Sequence, residues 1–292
     1  MAKFLPTAAA AATGIFVGST IVATRFVIDQ TSPASLALLR YFIGCCCLLP
    51  PALWSAHLRF ERRDLLPLGL LGITQFGVVV TLLNYALQLI PSARAALIFA
   101  TFPLLTLIFA AALGYERVTG AKALGVMLTI VGVGLALGEK AVQPGSPANG
   151  WIGELAVLAS AASGAICSVL YRPYLQKYAT LPVSAFAMLA SVIFLAMFAV
   201  GEGFFNAPPR FTPGGWLAIG FIGLSSGVGY YLWLWALNRT TPTNVTVFMA
   251  LSPVTATVLG ALFLAESIST MSLLGLICVA LGLWLAHWPV EL

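Results

Sequence analysis

The sequence predicts an all-α integral membrane protein, with ten transmembrane helices forming two inverted five-helix repeats around a central cavity. Three observations predict it. The composition is too apolar for a water-facing surface, ten apolar runs have spanning length, and one residue pattern recurs in both halves at a fixed separation.

The chain has 292 residues, 60% hydrophobic and 8% charged. Soluble domains carry roughly 25% charged residues. So few charges leave lipid as the main solvent. The net charge of +5 does not point to nucleic acid, because the basic residues are scattered between apolar runs. That is where loop charges of a membrane protein fall. Cys45, Cys46, Cys47, Cys167 and Cys278 all lie inside apolar runs and lack zinc-ligand spacing. They read as small packing residues. No metal and no cofactor are expected.

A spanning helix needs roughly 20 mostly apolar residues. The runs fall at 5–27, 34–55, 65–88, 92–115, 120–138, 151–172, 182–200, 215–237, 243–265 and 270–288. The first follows Lys3 and resembles a signal peptide cleavable after Ala23. Its counterpart in the second half argues instead for a retained helix. Pro33, Pro67, Pro91, Pro182, Pro213 and Pro242 mark span starts, where a missing N–H costs nothing. Trp54, Trp151, Trp216 and Trp288 sit near span ends, as interfacial aromatics do. The segment 139–150, with Pro144, Gly145, Ser146 and Pro147, is the boundary between the halves. The repeats are accordingly placed at 1–140 and 150–292.

Lys and Arg set the orientation. With the N-terminus inside, the cytoplasmic face holds Lys3, Arg59, Arg62, Arg63, Arg117, Lys122, Arg172, Lys177 and Arg239. The outer face holds Arg25, Arg94, Lys140 and Arg210. The excess inside predicts both termini in the cytoplasm of a bacterial-type inner membrane.

The repeat has an offset of 150 residues. Pro103 matches Pro253, Glu116 matches Glu266, Gly125 matches Gly275, Gly132 matches Gly282, and Gly14 matches Gly164. Ala86-Leu87 matches Ala236-Leu237. Each half holds five spans, an odd number, so the halves must be oppositely oriented. Arg117 and Lys122 follow Glu116, whereas no Lys or Arg follows Glu266 in the equivalent loop. That asymmetry fits opposite sides of the membrane.

Pro103 and Pro253 fall near the middle of spans four and nine. A mid-helix proline frees the carbonyl four residues earlier, here Phe99 and Met249. Such a carbonyl in lipid needs protein, water or ligand. The paired breaks are candidates for a binding centre or hinge; a static packing kink is the alternative. In span eight, Tyr231, Trp235 and Asn238 share one helical face, and the equivalents in span three are Thr81, Tyr85 and Gln88. Gln75, Asn84 and Tyr230 lie near them. Aromatic tips and amides within a span need partners. A hydrated cavity would supply them, as would interhelical hydrogen bonds. Thr101 and Ser252, beside the two prolines, complete the cavity candidates.

Arg40 lies two turns into span two, with no acidic residue at similar depth. It either binds a solute carboxylate or fastens helices; the fastening role is the expected one. Arg25 is expected to snorkel. Glu116, Glu154 and Glu266 lie near span ends and read as ordinary solvated carboxylates. Gly14 with Gly18, Gly134 with Gly138, and Ser160, Gly164 and Ser168 have the four-residue spacing of close helix packing.

Pro33 through Arg40-Tyr41-Phe42, Tyr85-Ala86-Leu87, Pro103, Glu116 and Gly125 in the first half carry a resemblance to a known family. Trp235-Ala236-Leu237, Ser252-Pro253, Ala265-Glu266 and Gly275 carry it in the second. Together they resemble the drug/metabolite transporter superfamily, in particular its EamA-type ten-helix exporters. The resemblance covers nearly the whole chain, and its specificity lies in the doubling rather than in one motif. It implies helices one to four and six to nine around a cavity, with five and ten at the periphery. It also implies export of amino acids and related metabolites, aromatic ones included. Ser267 stands where family members often carry a basic residue.

The expected function is export of small metabolites, foremost neutral and aromatic amino acids, by alternating access. Efflux of hydrophobic or cationic drugs and nucleotide-sugar-type transport are the alternatives on this fold. A phosphate-bearing solute wants several cavity cations, and a cationic drug wants a carboxylate or an aromatic cage. A membrane enzyme wants clustered His, Asp or Glu, which the two distant histidines and sparse carboxylates do not provide. The expected partners are a small-molecule solute and the lipid bilayer, and not nucleic acid; the sequence leaves the oligomeric state open between monomer and dimer.

Overall fold

Proline and glycine punctuate the helices. The computed structural model describes residues 4–27, 30–54, 60–90, 95, 98–141, 150–206, 209–264 and 270–286. The helices are α1 (Phe4–Arg25), α2 (Pro33–Trp54), α3 (Arg62–Gly72), α4 (Val79–Leu89), α5 (Phe102–Ala112) and α6 (Gly120–Ala141). They continue as α7 (Gly150–Lys177), α8 (Thr180–Gly201), α9 (Pro213–Arg239), α10 (Pro242–Thr246), α11 (Leu251–Leu264) and α12 (Thr270–Ala286). A π-helical turn, Ile73–Val78, joins α3 to α4, and a 3-10 turn, Val247–Ala250, joins α10 to α11. No strand occurs among the described residues.

Local chemistry explains several ends. Thr212 Oγ1 accepts from Gly215 N at 3.1 Å, and Pro213 occupies the first turn, so α9 starts there. Gly114 at φ +72° ends α5, where Tyr115 N donates to Ala110 O at 2.8 Å. Gly203 at φ +78° closes α8 in the same way, with Phe204 N on Ala199 O at 3.0 Å. Glycine, lacking a Cβ, adopts that left-handed cap most readily.

Among the described residues, six helical stretches have the length and composition to cross a bilayer: Leu5–Thr24, Ala34–Trp54, Arg62–Ala86, Gly150–Lys177, Thr180–Gly201 and Pro213–Arg239. Shorter apolar helices cover Phe102–Ala112, Gly120–Leu135 and Ile277–Ala286. The outer surfaces carry large apolar side chains, such as Leu66, Ile193, Leu217 and Leu262. Such a surface suits lipid and not water.

Packing is reciprocal. α1 packs on α9 and α11, while α7 packs on α4 and α5. α2 packs on α9, while α8 packs on α3. α2 also packs on α8, and α6 on α12. Shifting by 150 residues turns α1 into α7, α2 into α8, α3–α4 into α9, α5 into α11 and α6 into α12. Each of these contacts then becomes another of them, or itself. Small residues permit the closest approaches. A Cβ at Gly132 would lie 2.7 Å from Gly275 O, so the α6 and α12 backbones touch.

Candidate functional site

The two expected helix breaks are turns that precede the prolines. The chain turns at Ala100–Thr101, α5 starts at Phe102, and Pro103 is its second residue. In the second half the 3-10 turn precedes α11, and Pro253 is the third residue of that helix. Neither proline bends a continuous helix, which differs from the sequence expectation. A first-turn proline gives up an N–H that has no intrahelical partner there, so starting a new helix avoids the clash. Thr101 Oγ1 donates to Ile98 O at 2.7 Å inside the first of these turns.

The first helix of each half grips the broken helix of the other. Gly14 backs onto the Phe248 carbonyl and Gly18 onto that of Ser252, with Thr255 Cβ 2.7 Å from where a Gly18 Cβ would sit. In the other half, a Cβ at Gly164 would lie 2.9 Å from the Phe102 ring. Ser252 is buried in this contact.

The polar faces of α4 and α9 are partly open. Thr81 and Asn84 are half-buried, and Tyr85 is 47% exposed. The Gln88 side chain lies outside the described residues, as does Glu266. Tyr231 and Trp235 pack half-buried on the main core. The Arg239 guanidinium covers the Trp235 ring at 3.9 Å, and Asn238 Nδ2 donates to Thr180 Oγ1 at 3.4 Å. The structure thus keeps the α9 stripe together and gives Trp235 a cation of its own.

Arg40 spans three helices. Its Nε donates to Ser226 Oγ on α9 at 2.6 Å, and an Nη to Thr20 Oγ1 on α1 at 3.3 Å. Ser226 Oγ in turn donates to Ile222 O at 2.6 Å. The guanidinium lies 5.5 Å from the Tyr41 ring centre.

Behind Arg40 lies an aromatic centre that the sequence reading did not assemble. Tyr41 meets Phe76 at 4.7 Å, and Phe76 meets Tyr230 edge-on at 4.2 Å. Tyr230 meets Tyr171 at 6.4 Å, and Trp233 stacks near Phe102 at 6.1 Å. These rings come from α2, the π-turn, α5, α7 and α9. Only their contacts across helices assemble them into one cluster.

Polar ties join the halves at the helix ends. The Glu116 side chain is fully buried, pairs with Lys122 Nζ at 2.8 Å and accepts from Thr243 N at 2.9 Å. It was expected to be an ordinary solvated carboxylate; the helix start at Pro242 folds over it instead. Lys177 Nζ lies 2.6 Å from both Asp64 and Glu61, and Tyr178 Oη donates to Asp64 at 2.6 Å. The Lys177 hydrogen bond, with Arg63 beside it, holds Glu61 below the usual carboxylate range. Glu202 accepts from Ala34 N at 3.1 Å, from Ser35 N at 2.9 Å and from the Ser32 hydroxyl. Partial burial pushes Glu202 up, but the bonds from Ser32, Ala34 and Ser35 together outweigh it and leave it lowered.

An open groove of about 400 Å³ lies at the start of α7, lined by Ile98, Trp151, Glu154, Leu155 and Leu158. It is mostly apolar. Among the described residues, no three His, Cys, Asp or Glu side chains gather as a metal site.

Apolar helices of spanning length, packed reciprocally around broken helices, define a multi-pass membrane protein of the transporter class. The chain belongs to the EamA-like transporter family, whose model matches residues 6–138 and again residues 151–288. It is a transporter and not an enzyme. Among its relatives is a Streptantibioticus cattleyicolor protein named "Probable terminal-alkyne amino-acid exporter", 28% identical over 88% of this chain and 84% of that protein. An "Uncharacterized inner membrane transporter" of Escherichia coli is 27% identical over 89% of this chain and 83% of its own. A solved crystal structure matches with a TM-score of 0.84 at 24% identity, over 97% of this chain and 96% of that one. That likeness concerns the fold alone.

Proposed function

We propose that the protein exports small metabolites, foremost neutral and aromatic amino acids, across a bacterial inner membrane. It does so by alternating access between two inverted repeats of five helices each, 1–140 and 150–292, with both termini in the cytoplasm. The observation that carries the mechanism is the reciprocal packing. Contacts that exchange under a 150-residue shift are what a two-fold axis between the halves produces. Halves of five spans can share such an axis only when inverted.

The solute class draws on the named amino-acid exporter at 28% identity. Its chemistry also fits this chain. The candidate wall mixes aromatic rings with hydroxyls and amides, from Thr81, Asn84, Tyr85, Gln88, Thr101, Tyr231, Trp235, Asn238 and Ser252 around the breaks at Pro103 and Pro253, and it carries no acidic side chain. Arg40 acts as a fastener for α1, α2 and α9. Drug efflux through an aromatic cage is disfavoured because Arg239 occupies the Trp235 face. The test is counterflow in proteoliposomes preloaded with unlabelled phenylalanine, threonine or methionine. Accumulation of the labelled amino acid supports the reading; none above empty vesicles, with folded protein, rejects it.

A further inference from the structure

The strongest unexplained feature is a set of buried polar atoms with no partner. Tyr171 is 0%, Tyr230 6% and Trp233 5% exposed. Tyr171 Oη, Tyr230 Oη and Trp233 Nε1 have no hydrogen-bond partner among the described residues, and neither does Gln75 Oε1. The two tyrosine hydroxyls face each other at the margin of hydrogen bonding, and neither reaches any other protein group among the described residues. Burying such a group unpaired forfeits its hydration with nothing in return. Such groups are few in a folded protein, and three of the bulkiest here are aromatic tips on α7 and α9.

The four groups sit on neighbouring elements. Tyr230 and Trp233 are one turn apart on α9. Tyr171 faces Tyr230 from α7, and Gln75 precedes Phe76, whose ring touches Tyr230. Tyr171 and Trp233 each stand six residues before the end of their helix, about 9 Å of rise, at Lys177 and Arg239. Both are therefore at one depth, toward the side that those cations face.

Gln75 and Phe76 sit in the π-turn Ile73–Val78. A π-turn inserts an extra residue into a helix at some cost and is frequent at functional sites. The equivalent stretch of α9, residues 223–228, is regular α-helix. The donors are also one-sided. The repeat equivalents of Tyr171, Tyr230 and Trp233 are Ile21, Val80 and Leu83. The fold fills those places with aliphatic side chains, so architecture does not require the hydroxyls or the indole.

From this we infer that Tyr171, Tyr230, Trp233 and Gln75 form a binding subsite for the zwitterionic head of an amino acid. The three donors serve the carboxylate, and Gln75 Oε1 serves the ammonium. Phe76 and Phe102 give an apolar wall for the side chain. Neutral donors in a low-dielectric interior bind a carboxylate strongly and release it when water enters. This rests on the amino-acid reading above but adds its polar recognition site, on residues outside the Tyr231–Trp235–Asn238 stripe.

The experiment compares wild type with Tyr171→Phe and Tyr230→Phe in two measurements. First, uptake of labelled phenylalanine is competed by unlabelled phenylalanine and by phenylalaninamide, which lacks the carboxylate. The expected result is that the amide competes poorly in wild type. In each variant the KM for phenylalanine rises roughly tenfold or more, as loss of a hydrogen bond to a charged group predicts. The amide's weak competition stays the same. Variants that keep the wild-type KM overturn the inference. Second, thermal unfolding is followed on solute-free protein in detergent. A site built for an absent solute leaves both variants at or above the wild-type Tm. A fall of several degrees in both shows that the hydroxyls serve structure, and overturns it. If wild type carries no amino acid, the functional reading fails, while the unfolding result still judges the subsite.

Discussion

Gly125 and Gly282 meet backbone to backbone: a Cβ on either would fall 2.7 Å from the other's carbonyl oxygen. Gly132 and Gly275 repeat the contact one step along the same seam, with their roles exchanged. The pair of contacts joins α6 to α12 and is a small image of the whole fold. With lipid outside and apolar side chains on both helices, close van der Waals packing drives the association.

Gly125→Ala is therefore expected to force the helices apart and destabilise the protein by about 1–3 kcal/mol, as overpacking does. Gly120→Ala, at a position with nothing within 4 Å, should be neutral. Thermal unfolding in detergent checks both. Equal Tm values for the two variants would remove the seam's importance.

Glu116 ties the end of the fourth span to the start of α10. Glu116→Ala leaves Lys122 and the Thr243 N–H without their partner in a mostly buried place, and about 3–5 kcal/mol of stability should be lost. Glu116→Gln can still accept from Thr243 N and should lose less. The Tm order wild type, Gln, Ala is the expected result.

Glu202 caps the start of α2 as a carboxylate. Its lowered pKa means that the folded state binds the charged form, so its contribution is present above the ordinary value of 4.5 and is lost as pH falls below it. Between pH 7 and pH 3.5, Tm of wild type should fall more steeply than Tm of Glu202→Gln. Parallel curves would contradict the cap.

Arg40 joins α1, α2 and α9 through two hydroxyls. As a fastener it should set turnover and stability and not solute affinity. Arg40→Ala is expected to cost about 2 kcal/mol of stability, to slow transport, and to leave KM near wild type. A large KM rise at unchanged turnover would instead make Arg40 a solute ligand.

Much of the fold was legible in the sequence, because lipid imposes strict rules on chain composition. Apolar runs, proline starts and the doubled positions of Gly125 with Gly275 and Gly132 with Gly282 were all visible. What those glycines touch was not, since the partner is on a different helix. The π-turn at Ile73–Val78 lacks a warning, because no proline marks it and its one glycine reads as ordinary packing. Glu116 sits near a span end, and its burial depends on Thr243, 127 residues away in sequence. On α9 the residue types mark out the Tyr231–Trp235–Asn238 stripe. The buried face beside it, Tyr230–Trp233–Leu237, is one residue out of phase and carries the orphaned donors. Residue type alone does not tell which aromatic stripe faces inward.

The claim on which the mechanism stands is inversion of the halves. Arg62 at the start of α3 and Arg210 just before α9 occupy nearly equivalent places in the two repeats. With the native cysteines replaced, Arg62→Cys and Arg210→Cys can be exposed in intact spheroplasts to a thiol reagent that cannot cross membranes. The account predicts labelling of Arg210→Cys in intact cells and of Arg62→Cys only after permeabilisation. Labelling of both from the same side would contradict it.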